Sequence, residues 1–188
     1  MLTTRELARI LLGLWWLLKF DVKGMALFDA TARGVRRSFW AAWIVAPIYL
    51  MDSLLMFLAH PPSGGAWRFA LARAVTYVLL WATWPVVALD LARWLGIRER
   101  WAGYIVVYNW FRVLESVVVL PMVVLQKTPI GHTPMLEGMF LTLMVMMIVY
   151  GWFIVRISLG VGAATAFALV IINTLLSDLI HIVGESLV

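Results

Sequence analysis

The chain has 188 residues, 64 % of them hydrophobic and only 13 % charged, against roughly 25 % charged in an ordinary soluble domain. Its apolar runs are longer than a core of this size can bury, which excludes a soluble α/β domain and indicates an integral membrane protein. The net charge of +5 comes from basic residues beside hydrophobic runs, so anionic phospholipids rather than nucleic acid are the expected partner, and the absence of cysteine excludes disulfides, iron–sulfur ligation and thiol catalysis.

Residues 1–38 read as an amphipathic region at one membrane surface. LARILLGLWWLLKF (7–20) is too short, and too charged at its start, for a confident span. No small-residue cleavage site follows it, which argues against a secretory leader. An interfacial helix beside Arg5 and Arg9 is expected, with partial or re-entrant insertion as the alternative. A second short helix is expected in ALFDATARGVRRSFW, with Asp29 as N-cap and Phe28 before it. Arg33, Arg36 and Arg37 would then face lipid phosphates as the chain turns into the membrane; plain anchoring is the simpler role for this cluster.

Five apolar segments follow at 39–59, 72–92, 102–125, 135–155 and 160–183. Each has about the 20 residues needed to cross ~30 Å of hydrocarbon. The expected fold is all-α: a compact, polytopic bundle of five transmembrane helices preceded by one or two amphipathic interfacial helices. HPPSGG (60–65), WLGIRERW (94–101), QKTPIGHTP (126–134) and RISLGVG (156–162) supply the turns, with Glu137 in the first turn of the fourth span. No internal repeat is evident, and five spans do not divide into equal transporter halves.

Of the 15 lysines and arginines, 11 fall before the first span, between spans two and three, or between spans four and five. Arg68, Arg73 and Lys127 fall on the opposite side, and Arg112 falls within a span. The positive-inside rule therefore predicts a cytoplasmic N-terminus and an external C-terminus.

YNWFRVLES (108–116) brings polarity into the third span. With Arg112 at zero and ~100° per residue, Asn109, Ser116, Tyr108 and Glu115 fall within about 120° of one another. This stripe must face other helices or water, because lipid offers it no partner. Glu115, three residues on, is the expected partner of Arg112. One carboxylate cannot occupy five guanidinium donors, so Asp52, Asn173 and Asp178 are expected to complete a network opening towards the outer side. Asp90 and Asn109 are expected nearer the cytoplasmic end. Such a network is either a hydrophilic path or headgroup or ion site, or a polar core that fixes helix register.

His60, His132 and His181 lie on the predicted outer side, but their spacing matches no metal motif, and neither a metal nor a cofactor is expected. Pro47, Pro85 and Pro121 should bend their helices locally. Gly160, Ala164 and Ala168 recur every four residues and predict a helix-packing face for the fifth span; Ser158, Gly162 and Ala166 form a second series. The Met-rich LMVMM (143–147) suggests a deformable packing surface. No metalloprotease, nucleophile-elbow or nucleotide-binding motif occurs, so no enzyme activity is expected.

The five closely spaced spans, together with RRSFWAAWIVAPIYL and the later YNWFRVLE, resemble Yip1-type membrane proteins and small alphaproteobacterial inner-membrane proteins. That resemblance implies a membrane-organising or partner-binding protein of a bacterial inner (cytoplasmic) membrane. The short loops, basic interfacial helices and small-residue face point to a non-enzymatic protein that binds lipid or stabilises a larger assembly, with itself or another membrane protein as partner. The alternative is a transporter or channel-like protein moving a proton, ion, lipid or small polar solute past the network.

Overall fold

In the computed structural model, which describes residues 3–61, 64–126 and 133–187, every regular element is helical. Helices α1 (Thr4–Leu18) and α2 (Ala32–Ser38) precede five long ones: α3 (Trp40–Ala59), α4 (Gly65–Trp94), α5 (Trp101–Gln126), α6 (Pro134–Leu159) and α7 (Ala163–Ser186). These five are long and apolar enough to cross a membrane, α2 running into α3 as one segment. The chain is thus a membrane-embedded helical protein. Lys127 and His132 lie outside the described residues.

Local chemistry sets the short elements. Thr3 and Glu6 form a reciprocal capping box at the start of α1. Asp21 caps the 3-10 turn Val22–Leu27 through the Lys23 N–H at 2.9 Å. Gly13 and Gly24 let this turn lie against α1, since a Cβ on Gly24 would stand 2.6 Å from the Gly13 carbonyl oxygen. The cap of α2 is Thr31, which accepts from Gly34 N at 3.2 Å, and not Asp29 as expected. Asp29 instead accepts from Thr31 N at 3.1 Å, folding the residues just before the helix.

α1 and its turn form a wedge against the bundle. Ile10, Leu14 and Leu17 are buried, while Leu7, Leu11, Leu12 and Trp15 remain exposed. Tyr150 of α6 donates to the Leu18 carbonyl at 2.5 Å, and Phe20 stacks on Tyr150 with ring centroids 4.7 Å apart. Tyr150 lies nine residues before Leu159, or ~13 Å along the α6 axis. The end of α1 therefore packs beside the middle part of α6.

α5 is the central helix. It packs against α2, α3 and α6, with further contacts to α1 and α4, while α7 bridges α4 and α6. Tyr104 to Phe111 are buried without interruption, so α5 is enclosed on all sides over this stretch. The half of the bundle beside α1 and α2 is termed proximal here, and the other half distal. Past Phe111 the burial of α5 loosens, and the distal half opens between helices.

α4 begins at Gly65, seven residues before the expected 72, and so takes in Arg68 as well as Arg73. Trp67 and Trp94, 78 % and 83 % exposed at its two ends, are separated by ~40 Å of helix. That separation matches the two headgroup levels of a bilayer, where tryptophan rings settle.

α7 begins at Ala163, not 160. Gly160 is the left-handed C-cap of α6 (φ 62°, ψ 35°), and a Cβ there would meet Arg100 Nη1 at 1.7 Å. Ala164 and Ala168 are exposed; α7 packs within the chain through Ala166, Leu169 and Val170. The expected Gly160–Ala164–Ala168 face is thus no internal packing face: its first residue ends the preceding helix, and the other two point outward.

Candidate functional site

The polar stripe of α5 divides between two sets of neighbours. Asn109 is fully buried and donates from Nδ2 to Ser38 Oγ at 2.9 Å, and Ser38 Oγ in turn donates to the Val35 carbonyl at 2.7 Å. This chain of bonds fixes the α2–α3 junction against α5. Asn109 Oδ1 has no hydrogen-bond partner among the described residues. Asn109 thus shares the stripe with Arg112 but bonds to the α2–α3 junction.

Arg112, one turn further along, enters the distal half. Its Nη1 donates to Tyr108 Oη at 3.2 Å, and the Tyr108 hydroxyl donates to Asn173 Oδ1 of α7 at 3.2 Å. The guanidinium also lies over the rings of Trp81, at 5.7 Å, and Tyr108, at 5.9 Å. Two aromatic faces and one phenol thus orient the cation. Glu115 acts on Arg112 through charge but forms no ion pair with it within 4.0 Å, contrary to the pairing expected from their spacing. Both side chains project into the same open space, so proximity in sequence does not bring their charged ends into contact.

That space is a cleft of ≈ 480 Å³ between α5, α6 and α7. Arg112, Glu115, Asn173 and Asp178 line it, together with Ser116, Ser177 and His181. Its apolar wall includes Met144, Met147, Ile148 and Val170. The polar members from α7 lie within ~140° on a helical wheel, just as those of α5 share a face. Thr174 and Ser177 escaped attention in the sequence, although a wheel drawn for 173–181 places them between Asn173 and Asp178.

A second, smaller cleft of ≈ 260 Å³ lies on the α3–α4 side. Asp52, Tyr49, Tyr77 and Trp81 line it, and it shares Arg112, Ser116, Val119 and His181 with the first. Asp52 belongs chiefly to another cation: Arg73 Nη2 donates to Asp52 Oδ2 at 3.1 Å, and Arg73 Nε donates to Ser53 Oγ at 2.9 Å. The Arg73 guanidinium also lies 4.4 Å from the centre of the Tyr49 ring. Arg73 was counted on the outer side, at the start of the second span. Its partners Tyr49, Asp52 and Ser53 share one face of α3, and that pattern is the signal that turns it into the bundle.

Around the proximal end the picture differs. Arg37 makes a bidentate ion pair with Glu6, its Nη2–Oε2 bond being 2.7 Å, and so ties α2 to α1. Hydrogen bonds from Thr3 N–H and hydroxyl, then the charge of Arg37, hold the Glu6 carboxyl below its usual range. Bonds from Thr31, with Arg33 and Arg37 adding positive charge, lower Asp29 likewise. Arg33 and Arg36 are exposed, so of the three arginines expected to face phosphates, Arg37 alone is engaged in holding α1. Asp90 stands apart from the clefts, with Arg93 Nη1 at 2.8 Å. Among the described residues, no group of three or more His, Cys, Asp or Glu is arranged to hold a metal ion.

No protein-family model matches this chain, and neither the curated proteins nor the solved structures include a significant match.

Proposed function

We propose that this chain is a non-enzymatic membrane protein that holds a lipid-like amphiphile in the α5–α6–α7 cleft. One observation carries the reading: a cleft with a charged floor and apolar walls, closed on the proximal side by the buried stretch Tyr104–Phe111. Its volume lies within the roughly 300–1,000 Å³ of small-molecule sites. The charged floor suits a headgroup and the Met-rich wall suits acyl chains, methionine being able to adapt to irregular apolar partners. A continuous aqueous pore would need an opening where α5 is enclosed.

The basic proximal end faces the cytoplasm by the positive-inside rule, so the cleft opens in the outer half of a bacterial inner membrane. Arg33 and Arg36 then meet anionic phospholipids of the inner leaflet. The exposed Ala164–Ala168 face offers a close contact to a second copy or another membrane protein. A lipid- or partner-binding role also agrees with the Yip1-type likeness in helix number.

Native mass spectrometry of the purified protein tests the reading. Wild type retains phospholipid, and Arg112→Gln loses most of it while keeping its helicity and elution volume. Equal lipid retention by that variant would sink the proposal.

Transport is the second reading, favoured by one feature: the two clefts meet at Arg112, Ser116, Val119 and His181 and so connect two sides of the bundle. Proteoliposomes with flux that Glu115→Gln abolishes would support it. Absence of flux from wild type would remove it.

A further inference from the structure

Charges in the large cleft are separated in a way that defines what can occupy it. Arg112 has five N–H donors, of which one is engaged by Tyr108 at 3.2 Å. Glu115 and Asp178 line the same cleft, and neither carboxylate lies within 4.0 Å of a cationic nitrogen among the described residues. A cation and two anions therefore line one open cleft without forming a contact pair, Asp178 being exposed. A ligand with only negative charge gains from Arg112 and loses against two carboxylates. A ligand with only positive charge meets the reverse.

The geometry points to a phospholipid whose headgroup carries both a phosphate and a primary ammonium, the phosphate on Arg112 and the ammonium between Glu115 and Asp178. This rests on the lipid-binding reading and names the headgroup. Guanidinium and phosphate match as donor fork and acceptor oxygens. A primary ammonium supplies three N–H donors for the carboxylates and for Ser177 beside Asp178. A trimethylammonium has no N–H and prefers aromatic faces. Here the Trp81 and Tyr108 rings already hold Arg112, at 5.7 and 5.9 Å. The site thus favours ethanolamine over choline headgroups, and either over glycerol headgroups, whose net charge the carboxylates oppose. Met144, Met147 and Ile148 lie where the acyl chains would run.

The test compares phosphatidylethanolamine, phosphatidylcholine and phosphatidylglycerol with identical acyl chains, titrated into the full-length protein in lipid-free micelles. Bound copies are read by native mass spectrometry. Wild type should prefer the ethanolamine lipid by about tenfold, the scale of one charge-assisted hydrogen bond. Glu115→Gln should reduce that preference, and Glu115→Gln with Asp178→Asn should turn it towards the glycerol lipid. Equal binding of all three lipids by wild type, with Arg112→Gln still abolishing it, overturns the headgroup assignment and leaves the lipid site standing. No binding of any lipid overturns both. The wild-type comparison needs no variant, so a misfolded double mutant does not rescue the assignment.

Discussion

Replacing Asp52 with alanine leaves the Arg73 guanidinium among helices with Ser53 Oγ at 2.9 Å and the Tyr49 ring at 4.4 Å. The Arg73 side chain is 10 % exposed and that of Asp52 is 29 % exposed. Removing one partner from a buried pair costs ~3–5 kcal/mol. Asp52 is partly open and Arg73 keeps two other contacts, so about 2–3 kcal/mol is expected for Asp52→Ala. Arg73→Met should cost about 1–2 kcal/mol, since Asp52 reaches its cleft more easily than Arg73 does. The double variant buries neither charge and should cost about 1–2 kcal/mol, giving a coupling of about 2 kcal/mol. Reversible unfolding in mixed micelles, followed by helicity, measures all three. Additivity to within about 0.5 kcal/mol would refute the ion pair as a structural unit of the α3–α4 interface.

Asn109→Leu removes one hydrogen bond to Ser38 but also the unpartnered Oδ1, so it should be neutral or stabilising by up to about 1 kcal/mol in the same assay; Asn109→Ala leaves a cavity and should destabilise by about 2 kcal/mol. A loss of more than 2 kcal/mol for the leucine variant would show that Oδ1 has a partner. Gly160→Ala forces a left-handed residue against Arg100 and should cost about 1–2 kcal/mol; an unchanged unfolding midpoint would count against that cap. The Glu6 carboxyl is lowered from 4.5 in the folded chain, chiefly by Thr3. Its contribution is therefore complete above pH 4.5 and lost as pH falls through the lower folded value. Hydrogen exchange of α1 should be constant between pH 5 and 7 after correction for intrinsic rates, and faster at pH 3, whereas a transition near neutrality would contradict the clamp.

Much of the architecture follows from the sequence because it depends on local quantities. Apolar length sets the number of long helices, and the 100° step per residue sets which residues share a face. Partners depend on how helices cross, and those details were not legible. Arg112 and Glu115 share a face without pairing, and Asn109, at the edge of the same stripe, faces Ser38 instead. Gly160 illustrates another limit. A four-residue spacing of small residues describes a helix face only if one helix contains them all, yet the glycine after Arg156 and Leu159 carries the composition of a C-cap. The Arg73–Asp52 pair was missed for a related reason: a charge at the expected end of a span reads as interfacial until a carboxylate on the adjacent helix is considered.

The loose half of the bundle has a thermodynamic consequence. A protein seeking only stability would fill the distal half with apolar side chains, as it fills the proximal half around Val107 and Ile105. Instead it keeps Arg112 in a spanning helix with one phenol as its side-chain hydrogen-bonding partner among the described residues, at a cost of a few kcal/mol for an arginine at membrane depth. A bound phosphate would offset part of that cost through the guanidinium donors that Tyr108 does not engage. Binding then adds RT ln(1 + [L]/Kd) to stability, about 2.7 kcal/mol at a hundredfold excess over Kd. Phospholipid is the solvent of this chain, so even a weak site stays saturated in the membrane. Arg112 is on this account tolerated because its partner is part of the medium, and adding phospholipid back to a delipidated sample should stabilise wild type more than Arg112→Gln.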